Sequence, residues 1–319
     1  MRILGSLLLA GIDASYSPGI NEVDCAADYF RAGAAWPLED VADAGTTVRL
    51  CQNTLGKPHK FATLYSVTDK IPVYSSGMFT RYSNKPTYSR PDSHWTYLCN
   101  GLCLAEGSYL PERESFYCNL SSVGSSNYDF CDNHQAQDND YKGNTGNDLG
   151  RGHLVPNGIM NQDQDGQKAT FTLTNISLQY SNFNGGAWNQ LECMAREYLE
   201  RELDGLAANI ITGVYGTLRI LNENDSSKQP VRMPFYYWMA FCYSDDTTGE
   251  SYSWAYMQAN DPDEKQSSPD NFMSVKQFTD TYYEGASLFD EACQNPENGY
   301  GPWFPIIQDW SSYKKRYGC

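Results

Sequence analysis

The chain has 319 residues, 40% of them apolar and 14% aromatic, which is enough to bury a large core in one domain or two smaller ones. Its formal net charge of −16 excludes steering onto nucleic acid by a global positive field, so any polyanion it binds must be held by a local basic patch and a metal ion. No apolar run approaches the roughly 18 residues needed to cross a bilayer, and no membrane partner is expected.

In chain order, Met1 and Arg2 followed by the apolar residues 3–12 read as a signal peptide over residues 1–14, with Ala10 or Ala14 at the cleavage point. Residues 15–55 form a lead-in carrying Cys25 and Cys51, and residues 56–319 form the main domain. Residues 61–67 and 71–75 are β-rich runs separated by Thr68, Asp69 and Lys70, and predict a hairpin. Residues 82–150 are rich in Ser, Asn, Asp, Gly and Tyr and predict an irregular region pinned by disulfides. The stretch from Asn161 to Gly166 mimics the start of an EF-hand loop, but Thr172 stands at the twelfth position, so a solvated turn is expected. Residues 171–176 alternate as a strand. Residues 186–203 have helical spacing, with Trp188, Leu191, Ala195, Tyr198 and Leu199 largely on one side. Residues 209–215 and 236–243 predict buried strands, and residues 244–270 a polar, acidic loop.

Ten cysteines without a CxxC pair, behind an apolar N-terminal run, predict five disulfides and a secreted, extracellular protein rather than a zinc site. Asn119 and Asn224 open glycosylation sequons in loop contexts, whereas the sequon at Asn175 falls on a segment expected to be inaccessible.

The chemistry-bearing residues fall between 151 and 192. His153 is an imidazole suited to general-base work near neutral pH. Arg151, two residues earlier, faces the same side if the segment is a strand, where its guanidinium can grip a phosphate. Asn184 is expected at the start of the helix as a cap, with a carbonyl oxygen able to hold a hard ion that keeps most of its waters. Glu192 lies eight residues on and leans back toward the helix start. This set suits phosphodiester hydrolysis around one divalent metal. Read separately, His59, His94 and His134 are structural or solvated. Lys57, Lys60, Arg81, Lys85 and Arg90, with Lys314, Lys315 and Arg316, are candidates for a phosphate-binding face, scattered surface cations being the plainer reading.

Arg151-Gly152-His153-Leu154-Val155-Pro156-Asn157, then Thr174-Asn175-Ile176-Ser177-Leu178-Gln179, then Asn184-Gly185-Gly186-Ala187-Trp188-Asn189-Gln190-Leu191-Glu192 resemble the signature of the DNA/RNA non-specific endonucleases. The early hairpin and the run Ala169-Thr170-Phe171-Thr172-Leu173-Thr174-Asn175 are similar to the animal endonuclease domain-containing branch. The resemblance implies an α+β fold: a central antiparallel sheet flanked by helices around a ββα-metal nuclease core, stabilised here by disulfides. It implies His153 as general base, Asn184 as direct metal ligand, and Glu192 as the residue that orders water around the ion. It further implies Arg151 as the phosphate-stabilising cation and Asn175 as a hydrogen-bonding orienter of the site. The implied cofactor is Mg²⁺, with Mn²⁺ or Ca²⁺ as alternatives, and the implied substrates are DNA and RNA. The sequence departs from the family at Gly150, where the family carries Asp; the nearest here is Asp148. The rival expectation is a catalytically silent, disulfide-rich secreted nucleic-acid-binding or immune protein on the same scaffold.

Overall fold

The computed structural model describes residues 25–30, 36–38, 47–54, 58–91, 113–117, 135–136, 138–141, 148–228, 230–245 and 247–319. The strands are β1 (Thr47–Thr54), β2 (Phe61–Ser66), β3 (Ile71–Thr80), β4 (Arg113–Tyr117), β5 (Leu149–His153), β6 (Ile176–Tyr180), β7 (Ala207–Tyr215), β8 (Arg219–Leu221), β9 (Val231–Met233), β10 (Tyr236–Asp245), β11 (Glu250–Ala259) and β12 (Phe272–Met273). An eight-stranded sheet runs in the order β12-β11-β10-β7-β3-β2-β1-β4, antiparallel throughout except for the parallel β1–β4 pair. Two small antiparallel pairs, β5–β6 and β8–β9, stand apart from it.

Alternation along the strands buries both faces of the large sheet. On β10, Tyr237, Met239, Phe241 and Tyr243 enter the main core, while Trp238, Ala240 and Cys242 enter a second core on the opposite face. Helix α1 (Cys25–Tyr29) contributes to that second core. A short helix α2 (Asp138–Tyr141) and helix α3 (Gln164–Ala169) contribute Tyr141 and Ala169 to the main core.

The main core joins the sheet to the β5–β6 pair and the helical segment after it. That segment is α4 (Ser181–Phe183), one π-helical turn (Asn184–Trp188) and α5 (Asn189–Arg201). Its buried side chains Trp188, Leu191, Ala195, Tyr198 and Leu199 are those expected from the spacing. The remaining helices are α6 (Val275–Tyr282), α7 (Glu291–Gln294), α8 (Trp303–Gln308) and α9 (Trp310–Tyr317). Val275 and Phe278 of α6 and Cys293 of α7 close the second core, while Trp303 and Trp310 of α8 and α9 join the main one.

Among the described residues three disulfides, Cys25–Cys51, Cys193–Cys319 and Cys242–Cys293, fasten this frame. The last two tie α5 to the chain beyond α9 and β10 to α7. Cys99, Cys103, Cys118 and Cys131, and with them the other expected bridges, lie outside the described residues, as do the leader, Asn119, His94 and His134.

Three expectations are corrected. Residues 250–259 are not loop but β11, where Tyr252, Trp254 and Tyr256 alternate into the main core. Residues 171–176 are not one strand: Leu173–Asn175 form a 3₁₀ turn and β6 begins at Ile176. The turn wins because Thr172 Oγ1 donates to Gln52 Oε1 at 3.1 Å, and the Thr172 and Asn175 backbone N–H groups close local turns onto Ala169 and Thr172. The EF-hand mimic is neither calcium loop nor plain turn, since Asp163 caps α3 by accepting from the Asp165 backbone N–H. Among the described residues no helix is long and apolar enough to cross a membrane.

Candidate active site

Arg151 and His153 alternate along β5 with Gly152 between them, and both open onto one cleft of about 290 Å³. The glycine leaves room for a neighbouring side chain. A Cβ at position 152 would lie 2.0 Å from Oε1 of the buried Gln179 across the β5–β6 pair. Just past β5 the chain is held by Asn175. Its Oδ1 accepts from Val155 N at 3.0 Å, and its Nδ2 donates to Val155 O at 3.1 Å and to Thr170 O at 3.0 Å. Leu154 N donates to Asn175 O at 2.9 Å. Asn175 is fully buried and does not line the cleft. Its hydrogen bonds hold the backbone just after His153.

Helical conformation begins at Ser181, so Asn184 is not a cap; it opens the π turn, in which its carbonyl accepts from Asn189 N. The turn solves a geometric problem. At about 100° per residue, eight residues of α-helix would leave Glu192 about 80° around the axis from Asn184. The π turn absorbs one extra residue, so the pair behaves as though seven apart, within about 20° of two full turns. Asn184 and Glu192 accordingly line the same cleft. The Asn184 Nδ2 donates to the Arg151 carbonyl at 3.5 Å, which leaves Oδ1 as the side-chain atom suited to a cation.

The cleft is locally basic in an acidic chain. Arg90, Arg151 and Arg196 line it, against Glu192 as the one carboxylate in the lining. The Arg151 guanidinium lies 5.3 Å from the Tyr141 ring centroid and that of Arg90 lies 5.2 Å from Phe171. The Phe171 ring in turn meets the His153 ring edge-on, 5.0 Å between centroids. Burial, with Arg90 adding to it, holds His153 down at about 3, so the imidazole is neutral across the physiological range. Burial pushes the Glu192 carboxyl up to about 8 against the opposing pull of Trp188, Arg196 and Arg90.

Arg196 was missed from sequence, although its place four residues after Glu192 on one helix was the available signal. Of the basic residues suggested for a phosphate face, Arg90 is in the cleft and Arg81 is not. Arg81 is buried, paired with Glu200 at 2.6 Å, and donates to the Gly158 and Ile159 carbonyls, so it is a structural clamp. Lys60 pairs with Asp163, and Lys314 donates to Gln190 and Gln266. Lys57 lies outside the described residues.

A two-stranded antiparallel pair followed by a helix, with a histidine at the end of the first strand and an asparagine and glutamate on the helical segment, is the ββα-metal arrangement set on a large antiparallel sheet. The family model for DNA/RNA non-specific endonucleases matches residues 42–294, and the chain belongs to that family. It is similar to the human protein described as "Endonuclease domain-containing 1 protein", at 29% identity over 249 residues. The match covers 75% of this chain and 42% of that protein, so the chain spans about two-fifths of its relative's length. Among solved structures, a chain of the EndoG/EndoGI complex shares the fold with a TM-score of 0.51 and 14% identity. That match covers 76% of this chain and 89% of the other.

Proposed function

We propose that this chain is a secreted, divalent-metal-dependent endonuclease that hydrolyses DNA and RNA phosphodiester bonds with little sequence preference. The observation that carries the reading is the convergence of His153, Asn184, Glu192 and three arginines on one cleft. Asn224, exposed in a turn, is the described position suited to glycosylation.

The donor set fits a hard divalent ion. Asn184 Oδ1 would hold it, with Glu192, whose carboxyl burial pushes up to about 8, lining the same cleft. Among the described residues no group of three or more His, Cys, Asp or Glu is gathered, which suits an ion that keeps its waters rather than a zinc-type cage. When bound, the ion neutralises charge on the phosphoryl oxygens. His153, neutral and lining the cleft, takes the proton of the attacking water as its oxygen bonds to phosphorus, while the P–O bond to the leaving oxygen breaks and that oxygen takes up a proton from solvent. Arg151, Arg90 and Arg196 seat the phosphate and stabilise the charge that grows on it. Asn175 keeps the backbone beside His153 from moving, and the π turn keeps Asn184 and Glu192 on one side.

The silent-scaffold reading is favoured by two observations, Gly150 where the family usually carries Asp and the net charge of −16. Nicking of supercoiled plasmid with and without EDTA separates the two readings. Cleavage that EDTA abolishes, and that falls by about 10²–10⁴-fold in a folded His153→Ala variant, is the expected result. Cleavage unchanged by either treatment removes the assignment.

A further inference from the structure

We propose that the exposed segment 82–90 is a track for an unpaired nucleic-acid strand leading into the cleft, with Tyr88 stacking a base and Arg90 holding the neighbouring phosphate. This rests on reading the cleft as a phosphodiester site. The segment, Tyr82-Ser83-Asn84-Lys85-Pro86-Thr87-Tyr88-Ser89-Arg90, is exposed at every position and contains two cations and no carboxylate, in a chain of 39 acidic and 23 basic residues. It also carries two of the large hydrophobic side chains left exposed among the described residues, Tyr82 at 42% and Tyr88 at 49%. Its far end is already in the site, where Arg90 lines the cleft and lies over the Phe171 ring that meets His153.

An exposed loop of this composition would ordinarily be left to move. Here it is fastened through its backbone. Gln162 accepts from Tyr82 N at 3.0 Å and donates to the carbonyls of Tyr82 at 2.8 Å and Lys85 at 3.3 Å. Ser83 donates from both its N–H and its hydroxyl to Asp204, at 2.8 and 2.9 Å. Tyr88 N donates to Asn161 O at 2.7 Å, and the buried Arg81 anchors the start. These bonds fix the main chain while the side chains face solvent, so a strand meets a surface that needs little further ordering. Lys85 Nζ lies 5.9 Å from the Tyr82 ring centroid, so that ring already has a cation over it, and Tyr88 is the better platform.

Stacking on a tyrosine needs a base face, which a duplex keeps covered by its neighbours. The track therefore favours single strands, and Tyr88 is the residue that makes the distinction.

The test is binding of a fluorescently labelled single-stranded oligonucleotide and of a blunt duplex of equal length, in Ca²⁺, to the wild-type chain and to Tyr88→Ala and Tyr88→Phe. Thermal melts of all three confirm the fold. The expected result is single-strand binding weakened about 5-fold or more by Tyr88→Ala and restored by Tyr88→Phe, with duplex binding within about 2-fold. Equal losses on both substrates, or no loss on either, overturn the track. A Tyr88→Phe variant as weak as Tyr88→Ala also overturns it, since the hydroxyl rather than the ring would then be the contact. If the wild-type chain binds strands with this Tyr88 dependence yet cleaves neither substrate, the track stands and the catalytic reading fails. If it binds no nucleic acid, both fail.

Discussion

The two titrating groups of the cleft are displaced in opposite directions, and each adds its own pH-dependent contribution to stability. His153 is held at about 3 against an ordinary 6.5; the folded state refuses a proton that the unfolded chain takes, so stability is lost as pH falls from about 6.5 toward 3. Glu192 is raised to about 8 from an ordinary 4.5; the folded state keeps a proton that the unfolded chain gives up, so stability is lost as pH rises from about 4.5 to 8. The opposing slopes cancel between about 4.5 and 6.5, and Glu192 alone acts from about 6.5 to 8, at roughly 1.4 kcal/mol per pH unit. Urea melts in EDTA should show that upper limb, and Glu192→Gln should flatten it. An unchanged limb would assign the slope to another group. Gly150 offers a gain-of-function test at the same scale. A Cβ there would lie 3.4 Å from Asn184 Nδ2, aimed at the amide that now donates only to the Arg151 carbonyl at 3.5 Å. Gly150→Asp should give that amide a charged acceptor, fix Oδ1 toward the ion, and lower the Mg²⁺ concentration for half-maximal cleavage by about 10-fold. A weaker response to Mg²⁺ in this variant would mean that the carboxylate competes for the ion instead of orienting its ligand.

The π turn has its own signature, because its two central glycines face opposite fates. Gly185 is exposed, and a Cβ there meets nothing within 4 Å. Gly185→Ala should therefore stabilise by roughly 0.5–1 kcal/mol through helix propensity. At Gly186 a Cβ would lie 2.7 Å from the Lys265 carbonyl, in a loop tied to the helix by Asn182 to Pro262 and Gln190 to Gln266. Gly186→Ala should destabilise by about 1–3 kcal/mol, since backbone must give way. Thermal melts of the two variants decide it, and effects of the same sign would mean the turn does not hold this register. The sequence made the buried face of this helix legible, since Trp188, Leu191, Ala195, Tyr198 and Leu199 repeat at helical spacing. It did not reveal the π turn, because Gly185-Gly186 reads as a helix start and the reason for the second glycine is a loop about eighty residues away. The hairpin of β2 and β3 was legible from its β-branched and aromatic runs around Asp69 and Lys70. Strand β11 was hidden by averaging: the acidic residues around it dominate residues 244–270, although Tyr252, Trp254 and Tyr256 alternate within them. His153 and Glu192 could be read from local spacing, whereas Arg90 joins them only through tertiary placement beside Phe171.

At the scale of the molecule, the large sheet and its two cores supply a rigid base on which a small basic cleft is mounted in a chain of net charge −16. The Cys193–Cys319 disulfide reinforces that base at the cleft wall, since Cys193 lines it and accepts from Arg196 at 3.4 Å. The acidic surface beyond the cleft repels a polyanion, so attraction must be confined to the arginines that line it and the cations just outside it. Each duplex phosphate neutralised by Lys or Arg contributes about −0.9 to the dependence of log K on log salt. With Arg90, Arg151 and Arg196 lining the cleft and Lys85 on the same exposed segment as Arg90, roughly two to four contacts are expected, and a slope of about −2 to −4. Arg81 and Lys60 add nothing, because their charges are already met by Glu200 and Asp163. The measurement is duplex binding to the His153→Ala protein in Ca²⁺ as NaCl is varied. Arg196→Ala should make the slope shallower by about one, and Arg81→Lys should leave it unchanged. A wild-type slope steeper than about −6 would require a broad basic footprint that this arrangement of charges does not contain.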